Sequence, residues 1–170
     1  GAKFNWEKLN WINSQYIKSM NVNDLYEIFK KYWQEKAWKP QNNKWGLELT
    51  NLLQDSITVL NDIIDQSAPF FVMPKIDKDG EVFLKENSKL SLEKVYELLN
   101  QEDIQVNKTV AKNIIDKVSL ENSLKKSIVM RSLRVAFFGC LSGPDLVKSW
   151  ELFSANKNDI ERIQRCLDTN

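Results

Sequence analysis

The sequence predicts an all-α, multihelical protein whose short helices, roughly eight to ten of them, form two packed helical subdomains. Apolar side chains recur three and four positions apart along most of the 170 residues, which is the periodicity of helices that bury one face. Asparagine, aspartate or serine stands in front of several of these segments, where helix N-caps are usual. One segment has weak strand character: residues 81–84 could form a short extended piece.

The first half of the chain is predicted to hold four helices. A break at 39–43 contains Pro40 and separates the second helix from the third. Residues 68–81 are not predicted as helix, because prolines flank their short apolar run. The four predicted helices are Glu7–Met20 behind an Asn5 N-cap, a segment capped by Asn23-Asp24 that runs to Trp33, Lys44–Leu53, and Ser56–Gln66.

Residues 76–87 are interpreted as the junction between the two subdomains, which places the first at 3–80 and the second at 81–170. Gly1 and Ala2 are typical of residues left after removal of an expression tag. Five helices are predicted after the junction: one that starts at Ser88 or Ser91, one capped by Asn107, one at Ser123–Phe138, one with Pro144 in its first turn, and one that starts at Asn158-Asp159.

Histidine is absent and the net charge is +1, and both facts limit the possible functions. Without histidine, most zinc sites and all Ser-His or Cys-His nucleophile pairs are excluded, so catalysis would have to rest on carboxylates, lysines or arginines. The acidic residues show no catalytic arrangement, and the chain has no glycine-rich nucleotide motif. Cys140 and Cys166 are predicted to be reduced thiols. No apolar run approaches the ~20 residues that a membrane span requires.

The predicted helix that ends at Phe138 is basic. From residue 122 to residue 144 there is no acidic residue, and at 100° per residue Arg131, Arg134 and Phe138 fall on one stripe. An arginine fork suits phosphates and base edges, and an aromatic ring can stack on an unpaired base. The alternative is a solvated face whose arginines pair with carboxylates of neighbouring helices. The basic residues of this stretch are Lys125, Lys126, Arg131 and Arg134.

The segment that follows this helix is a second candidate for a ligand contact. Gly139 can adopt the left-handed conformation that ends helices, and Gly143 allows a ligand to approach the backbone closely. Pro144 and Asp145 are predicted in the first turn of the next helix. The alternative is an ordinary helix–helix turn without a ligand.

Two motifs resemble those of the bacterial-type glutamyl-tRNA synthetase family. Residues 8–17, Lys-Leu-Asn-Trp-Ile-Asn-Ser-Gln-Tyr-Ile, resemble its K-L-x-W-x-N-x-x-Y-I signature. Residues 133–146 contain Leu-Arg-Val-Ala, Gly139 and Gly-Pro-Asp-Leu, and they resemble its L-R-x-A-x-x-G-x-x-x-G-P-x-L segment. The two motifs stand in the family's order at about its spacing, so the resemblance spans almost the whole chain.

The resemblance implies an all-α anticodon-binding domain of two subdomains, from an enzyme of cyanobacterial or plastid type. The parent enzyme would attach glutamate to tRNA with ATP and Mg²⁺, at a site in an N-terminal catalytic domain that this chain lacks. We therefore expect this chain alone to have no enzymatic activity and no cofactor, and to bind the tRNA for glutamate. A monomeric, cytoplasmic protein without membrane association is expected.

The resemblance also implies which residues contact the anticodon. Arg134 matches the arginine of the family's L-R-x-A segment, which contacts the anticodon, and Gly143, Pro144 and Leu146 match the loop that packs against its bases. Arg131 stands where many family members have a neutral residue, so it is predicted as an extra contact particular to this chain.

Ser56 is a departure from the family pattern. Strictly glutamate-specific members have an arginine near this position that reads the third anticodon base, and this chain has no arginine before residue 131. A serine cannot supply the bidentate donor that distinguishes one base edge from another. Our hypothesis is that the parent enzyme is non-discriminating and also attaches glutamate to the tRNA for glutamine.

Two other functions compete with anticodon binding. A helical protein–protein interaction module is the main alternative, because the many aromatic side chains could form a docking face. An enzyme in its own right is less favoured, because histidine and nucleotide-binding motifs are absent. Steep salt dependence of RNA binding would separate the first function from the second, because phosphate contacts release counterions.

Overall fold

The computed structural model describes residues 5–87, 89–101 and 103–169. Within these ranges the chain forms ten α-helices, one short 3₁₀ helix and no strand, which confirms the all-α prediction. It divides into two compact units, Gly1–Phe71 and Val72–Asn170. The division therefore falls earlier than the predicted boundary after residue 80. The predicted tag residues at positions 1 and 2 and the candidate cap Ser88 lie outside the described residues.

In the described part of the first unit there are four α-helices, and their N-caps are mostly asparagines. The Asn5 side chain accepts a hydrogen bond from the Lys8 amide, as predicted. The second helix is capped by Asn21 and not by Asn23-Asp24, because the side-chain oxygen of Asn21 accepts from the amide of residue 23. The helices are α1 Trp6–Ser19, α2 Val22–Glu35, α3 Asn43–Leu53 and α4 Asp62–Phe71, with a 3₁₀ turn at Gln54–Ser56.

The fourth predicted helix, 56–66, was wrong in both bounds. Ser56 ends the 3₁₀ turn, and the Asp62 carboxylate accepts hydrogen bonds from the amides of residues 58 and 59, which orders a loop in front of α4. Helix α4 then continues through Pro69 into the segment predicted as non-helical. The reason is tertiary: Phe70 is buried, and the ring of Phe71 lies 5.0 to 5.4 Å from three tryptophan rings, those of Trp33, Trp38 and Trp45.

Among the residues that the structure describes, the second unit contains six α-helices: α5 Lys78–Glu86, α6 Leu90–Gln101, α7 Lys108–Glu121, α8 Lys126–Phe138, α9 Leu146–Ala155 and α10 Asn158–Asp168. The extended piece suggested at 81–84 was wrong, because this segment lies inside α5 and Asp77 caps that helix by accepting from the Gly80 amide. The predicted Asn107 cap is confirmed.

The bounds of α8 and α9 differ from the prediction by a few residues. Ser123 adopts φ +53° and belongs to the turn after α7, so α8 begins at Lys126. The N-cap of α9 is Asp145, whose carboxylate accepts from the Lys148 amide. Pro144 therefore stands before the cap and not inside the first helical turn.

Helix α8 is the central helix of the second unit. It contacts each of the other five helices of that unit, and seven of its thirteen residues are buried. A helix that is surrounded in this way has little freedom to shift, because its side chains interdigitate with neighbours on most sides. The position of its C-terminal end is consequently set by the core of the unit.

Candidate nucleic-acid interface

Helix α8 ends at a glycine that lies against another part of the backbone. Gly139 adopts φ +72°, and its amide donates to the Val135 carbonyl oxygen. Its own carbonyl oxygen accepts a hydrogen bond of 2.8 Å from the Asp77 amide. A Cβ atom at this position would overlap the carbonyl oxygen of Lys75. The end of α8 is therefore joined to the segment that precedes α5.

The loop at 140–144 packs on the ring of Phe138. Gly143 has φ +155°, and a Cβ atom there would lie 2.7 Å from Cδ2 of Phe138. The Phe138 side chain is only 6% exposed and forms an edge contact with Phe153 at 5.8 Å between ring centroids. Phe138 lies on the predicted helical stripe with the two arginines, but its ring is buried beneath the loop and is not presented for stacking on a base.

Arg134 connects α8 to the same loop. Its Nη1 donates a hydrogen bond of 2.9 Å to the Pro144 carbonyl oxygen, and the side chain is half-buried. Gly143 is exposed beside it, whereas Leu146 is only 2% exposed and packs within the unit. The structure thus brings Arg134, Gly143 and Pro144 together at one surface and places the Leu146 side chain in the core.

Arg131 is exposed and points toward α5. Its guanidinium carbon lies 4.6 Å from the centroid of the Phe83 ring, which is a cation–π distance. Within residues 5–87, 89–101 and 103–169, neither Arg131 nor Arg134 lies within ion-pair distance of a carboxylate. The alternative of arginines neutralised by neighbouring helices is therefore not what this surface shows. Lys126, in contrast, pairs with Asp116 at 2.5 Å.

Two further arginines hold the end of α8 from α10, and sequence reasoning missed both. Arg162 is 3% exposed, and its Nη1 donates a 2.7 Å hydrogen bond to the Phe137 carbonyl oxygen. Arg165 donates from Nη2 to the Ala136 carbonyl oxygen at 3.1 Å and from Nη1 to the Pro74 carbonyl oxygen. Burial lowers the pKa of Arg162 to about 10, so the group stays protonated at neutral pH. The sequence held one signal, the restriction of arginine to residues 131–165.

In the first unit, Ser56 is exposed at the end of the 3₁₀ turn. Its hydroxyl donates to the Leu53 carbonyl oxygen at 2.8 Å. The signature at residues 8–17 lies in α1, where Ile17 is buried while Trp11 and Tyr16 are 65% and 69% exposed. A groove of 550 Å³ runs beside Tyr16.

Cys140 and Cys166 are free thiols, as expected. Burial raises the pKa of the Cys166 thiol. Among the described residues, no group of three or more metal-ligating side chains is arranged to hold an ion. In the same ranges, no helix is long and apolar enough to cross a membrane.

The second unit is all-α, and Arg134 lies beside an exposed glycine loop, which gives a surface able to donate hydrogen bonds to a nucleic acid. Residues 24–167 match a family model described as the anticodon binding domain. The chain therefore belongs to the anticodon-binding domain family.

The curated relatives of this chain are glutamate–tRNA ligases. The chain is 56% identical to the glutamate–tRNA ligase of Prochlorococcus marinus subsp. pastoris (strain CCMP1986 / NIES-2087 / MED4), over 99% of this chain and 36% of that protein. It is 38% identical to the glutamate–tRNA ligase of Synechococcus sp. (strain CC9902), over 98% of this chain and 36% of that protein. The chain thus spans about a third of the length of these relatives and matches their C-terminal part, which confirms the resemblance based on the two motifs.

Solved structures share the fold. A glutamate tRNA ligase from Elizabethkingia meningosepticum CCUG26117, in complex with its amino acid, has a TM-score of 0.85 at 24% identity and covers 99% of this chain and 33% of its own. The glutamate-tRNA synthetase from Elizabethkingia anophelis has a TM-score of 0.79 at 23% identity, covering 99% of this chain and 33% of its own. These similarities support the multihelical fold class.

Proposed function

We propose that this chain binds the anticodon loop of the tRNA for glutamate, as the C-terminal domain of a glutamate–tRNA ligase. The observation that carries the proposal is the hydrogen bond from Arg134 to the Pro144 carbonyl oxygen, beside the exposed Gly143. The ligase activity, with its ATP and Mg²⁺, would belong to the rest of a monomeric parent enzyme. This chain would contribute recognition and no chemical step.

Arg134 is suited to hold the loop and an RNA group at the same time. A guanidinium has five N–H donors, and the bond to Pro144 uses one nitrogen. The other donors have no hydrogen-bond partner among the described residues. They are therefore free to donate to a phosphate or to a base edge, as arginine does most often in RNA and DNA recognition.

Of the other residues predicted to contact the anticodon, some lie at the surface and some are buried beneath it. We propose that Gly143 and Pro144 meet the anticodon bases through their accessible backbone and ring, and that Arg131 adds a phosphate contact. The Phe138 and Leu146 side chains are buried, so they would support the loop without touching RNA. Unpaired anticodon bases can be splayed onto such a surface, which is the usual way that single-stranded loops are read.

The test is a titration of the domain with two RNA stem-loops at several salt concentrations, one with the glutamate anticodon and one with a scrambled loop. We expect stronger binding of the first and an affinity that falls with salt. Arg134→Gln should weaken binding and reduce the salt slope by about 0.7 to 1, whereas the control Lys112→Gln, exposed on α7, should change neither. Equal binding of both loops would overturn recognition of the anticodon, and the absence of salt-sensitive binding to either loop would favour a protein-docking module.

We further propose that the parent enzyme also attaches glutamate to the tRNA for glutamine. Support comes from Ser56: its hydroxyl is short and already donates to the Leu53 carbonyl oxygen, so it cannot discriminate between base edges as an arginine fork does. In the full-length enzyme, Ser56→Arg should lower charging of the glutamine tRNA and leave glutamate tRNA charging largely intact. Asn51→Arg, at an exposed position of α3, adds the same charge and is the control. If the unmodified enzyme does not charge the glutamine tRNA, this proposal fails while anticodon binding stands.

A further inference from the structure

We propose that Arg165 is a positioning residue of the anticodon-binding loop, which it controls by joining the last turn of α8 to the segment in front of α5. The proposal rests on the proposed function, because the loop is the RNA-binding surface named there. Arg165 itself would touch no RNA and would act through Gly139 and Arg134.

The distribution of arginine is the first observation. The chain has 24 lysines and arginines, yet its four arginines occur only in α8 and α10. Lysine supplies every other side-chain cation. Three of the four arginines donate to backbone carbonyl oxygens at the end of α8 or in its loop: Arg134, Arg162 and Arg165. The forked donor is thus concentrated where backbone segments must be held together.

The carbonyl groups at the end of α8 are the second observation. The last carbonyls of a helix have no partner inside the helix, and they carry its negative dipole end. In α8 the Val135 carbonyl accepts from Gly139, the Ala136 carbonyl from Arg165 and the Phe137 carbonyl from Arg162. Two cationic side chains of α10 therefore complete the final turn.

Arg165 differs from Arg162 because it bridges two separate segments. Its Nη2 binds the Ala136 carbonyl oxygen of α8 and its Nη1 binds the Pro74 carbonyl oxygen. Next along that second segment, the Lys75 carbonyl lies against Gly139 and the Asp77 amide donates to the Gly139 carbonyl. The Arg165 guanidinium thus fixes the backbone segment that Gly139 contacts at the start of the loop.

Arg165 is oriented so that two of its three side-chain nitrogens make this bridge. Its Nε is buried without a hydrogen-bond partner in the described part of the chain. Leaving a buried donor unpaired is unfavourable, so the two carbonyl contacts determine how the fork lies. A lysine would keep the charge but has no planar fork with which to bind both carbonyls.

The test uses Arg165→Lys, which keeps the charge. The control is Gln164→Ala on the same helix, which removes a side-chain hydrogen bond to Asp168. We expect Arg165→Lys to weaken binding of the glutamate stem-loop about tenfold, with the salt slope unchanged because the charge is kept. Without RNA, the amide NMR signals of Asp77, Gly139 and Gly143 should shift. Gln164→Ala should leave affinity and these signals as they are.

Several outcomes overturn the proposal. If the folded Arg165→Lys domain binds as tightly as the unmodified one, with those amide signals in place, Arg165 only stabilises the fold and the proposed function survives. In Arg165→Gln, which removes the charge, a salt slope reduced by about 0.7 to 1 would mean that Arg165 contacts phosphate directly. If the unmodified domain shows no salt-sensitive preference for the glutamate stem-loop, the proposed function fails and this proposal fails with it. Should Arg165→Lys not fold, Arg165→Gln gives the same readouts.

Discussion

Gly139 lies so close to Lys75 that a Cβ atom on the glycine would overlap the Lys75 carbonyl oxygen. The contact joins the end of α8 to the segment before α5, and the Asp77 amide completes it with a hydrogen bond to the Gly139 carbonyl. Only a residue without a side chain combines φ +72° with this approach. The loop that carries the proposed RNA contacts starts from this point.

The first prediction concerns Gly139→Ala. Alanine is strained at positive φ, and its methyl group would push the Lys75 backbone away, so we expect a loss of about 2–4 kcal/mol in the free energy of unfolding. Urea denaturation measures it. Ser142→Ala, in the exposed part of the same loop, should change the stability by less than about 0.5 kcal/mol. Equal stability of the two variants would mean that the backbone contact is not required.

The second prediction concerns the Asp145 cap of α9. Asp145→Ala removes the acceptor of the Lys148 amide and should cost about 1 kcal/mol of stability. Asp145→Asn keeps a good capping acceptor and should cost clearly less. Thermal and urea unfolding of the unmodified protein and the two variants measure these losses. If Asp145 acted only through its charge, the asparagine variant would be as unstable as the alanine variant.

The third prediction concerns pH. Asp159 is 2% exposed, and burial raises the pKa of its carboxyl above the ordinary value, although Trp150 Nε1 donates to it at 3.0 Å. A raised folded pKa means that this group's stabilising contribution is complete below about pH 4 and is lost as the pH rises through the folded pKa.

Asp159→Asn removes that titration. The stability of the unmodified protein relative to the Asp159→Asn variant should therefore fall as the pH rises from about 4 toward neutrality. Urea unfolding of both proteins across this range gives the difference at each pH. A difference that stays constant, or that grows in the opposite direction, would contradict the assignment of a raised pKa to Asp159.

The fourth prediction separates Arg134 from Arg131. Arg134→Lys keeps the charge but cannot bond the Pro144 carbonyl and donate a fork to RNA together, so stem-loop affinity should fall about tenfold. Arg131→Lys keeps the charge and at most weakens a cation–π contact with Phe83 on an exposed surface, so its effect should stay within about threefold. Unchanged affinity for both variants would show that charge alone matters at this surface, and equal losses would show that the bond to Pro144 gives Arg134 no special role.

The features predictable from sequence are those with local causes. The Asn5 and Asn107 caps and the 44–53 helix follow from capping side chains and apolar spacing, and the structure has all three within a residue. Periodicity and family resemblance both predict Arg134 on a helix next to the glycine loop, and the structure places it there.

The features that sequence reasoning missed depend on contacts between distant residues. Pro69 favours a helix break by its local geometry, but the aromatic cluster around Phe71 outweighs that cost. Phe138 sits on the same helical stripe as Arg134, and only the packing of Gly143 and Phe153 shows that its ring is buried. The bond from Arg165 to Pro74 spans 91 residues, so no local pattern could reveal it.

The measurement that tests the anticodon-binding assignment most directly is an amide NMR titration of this domain with the glutamate anticodon stem-loop. In the second unit, the largest shifts should occur at Arg134, at residues 139–143 and, more weakly, at Arg131. The scrambled stem-loop should produce smaller shifts at the same amides. Shifts concentrated elsewhere, such as at Lys94 and Glu97 of α6, or no shifts at all, would contradict the account.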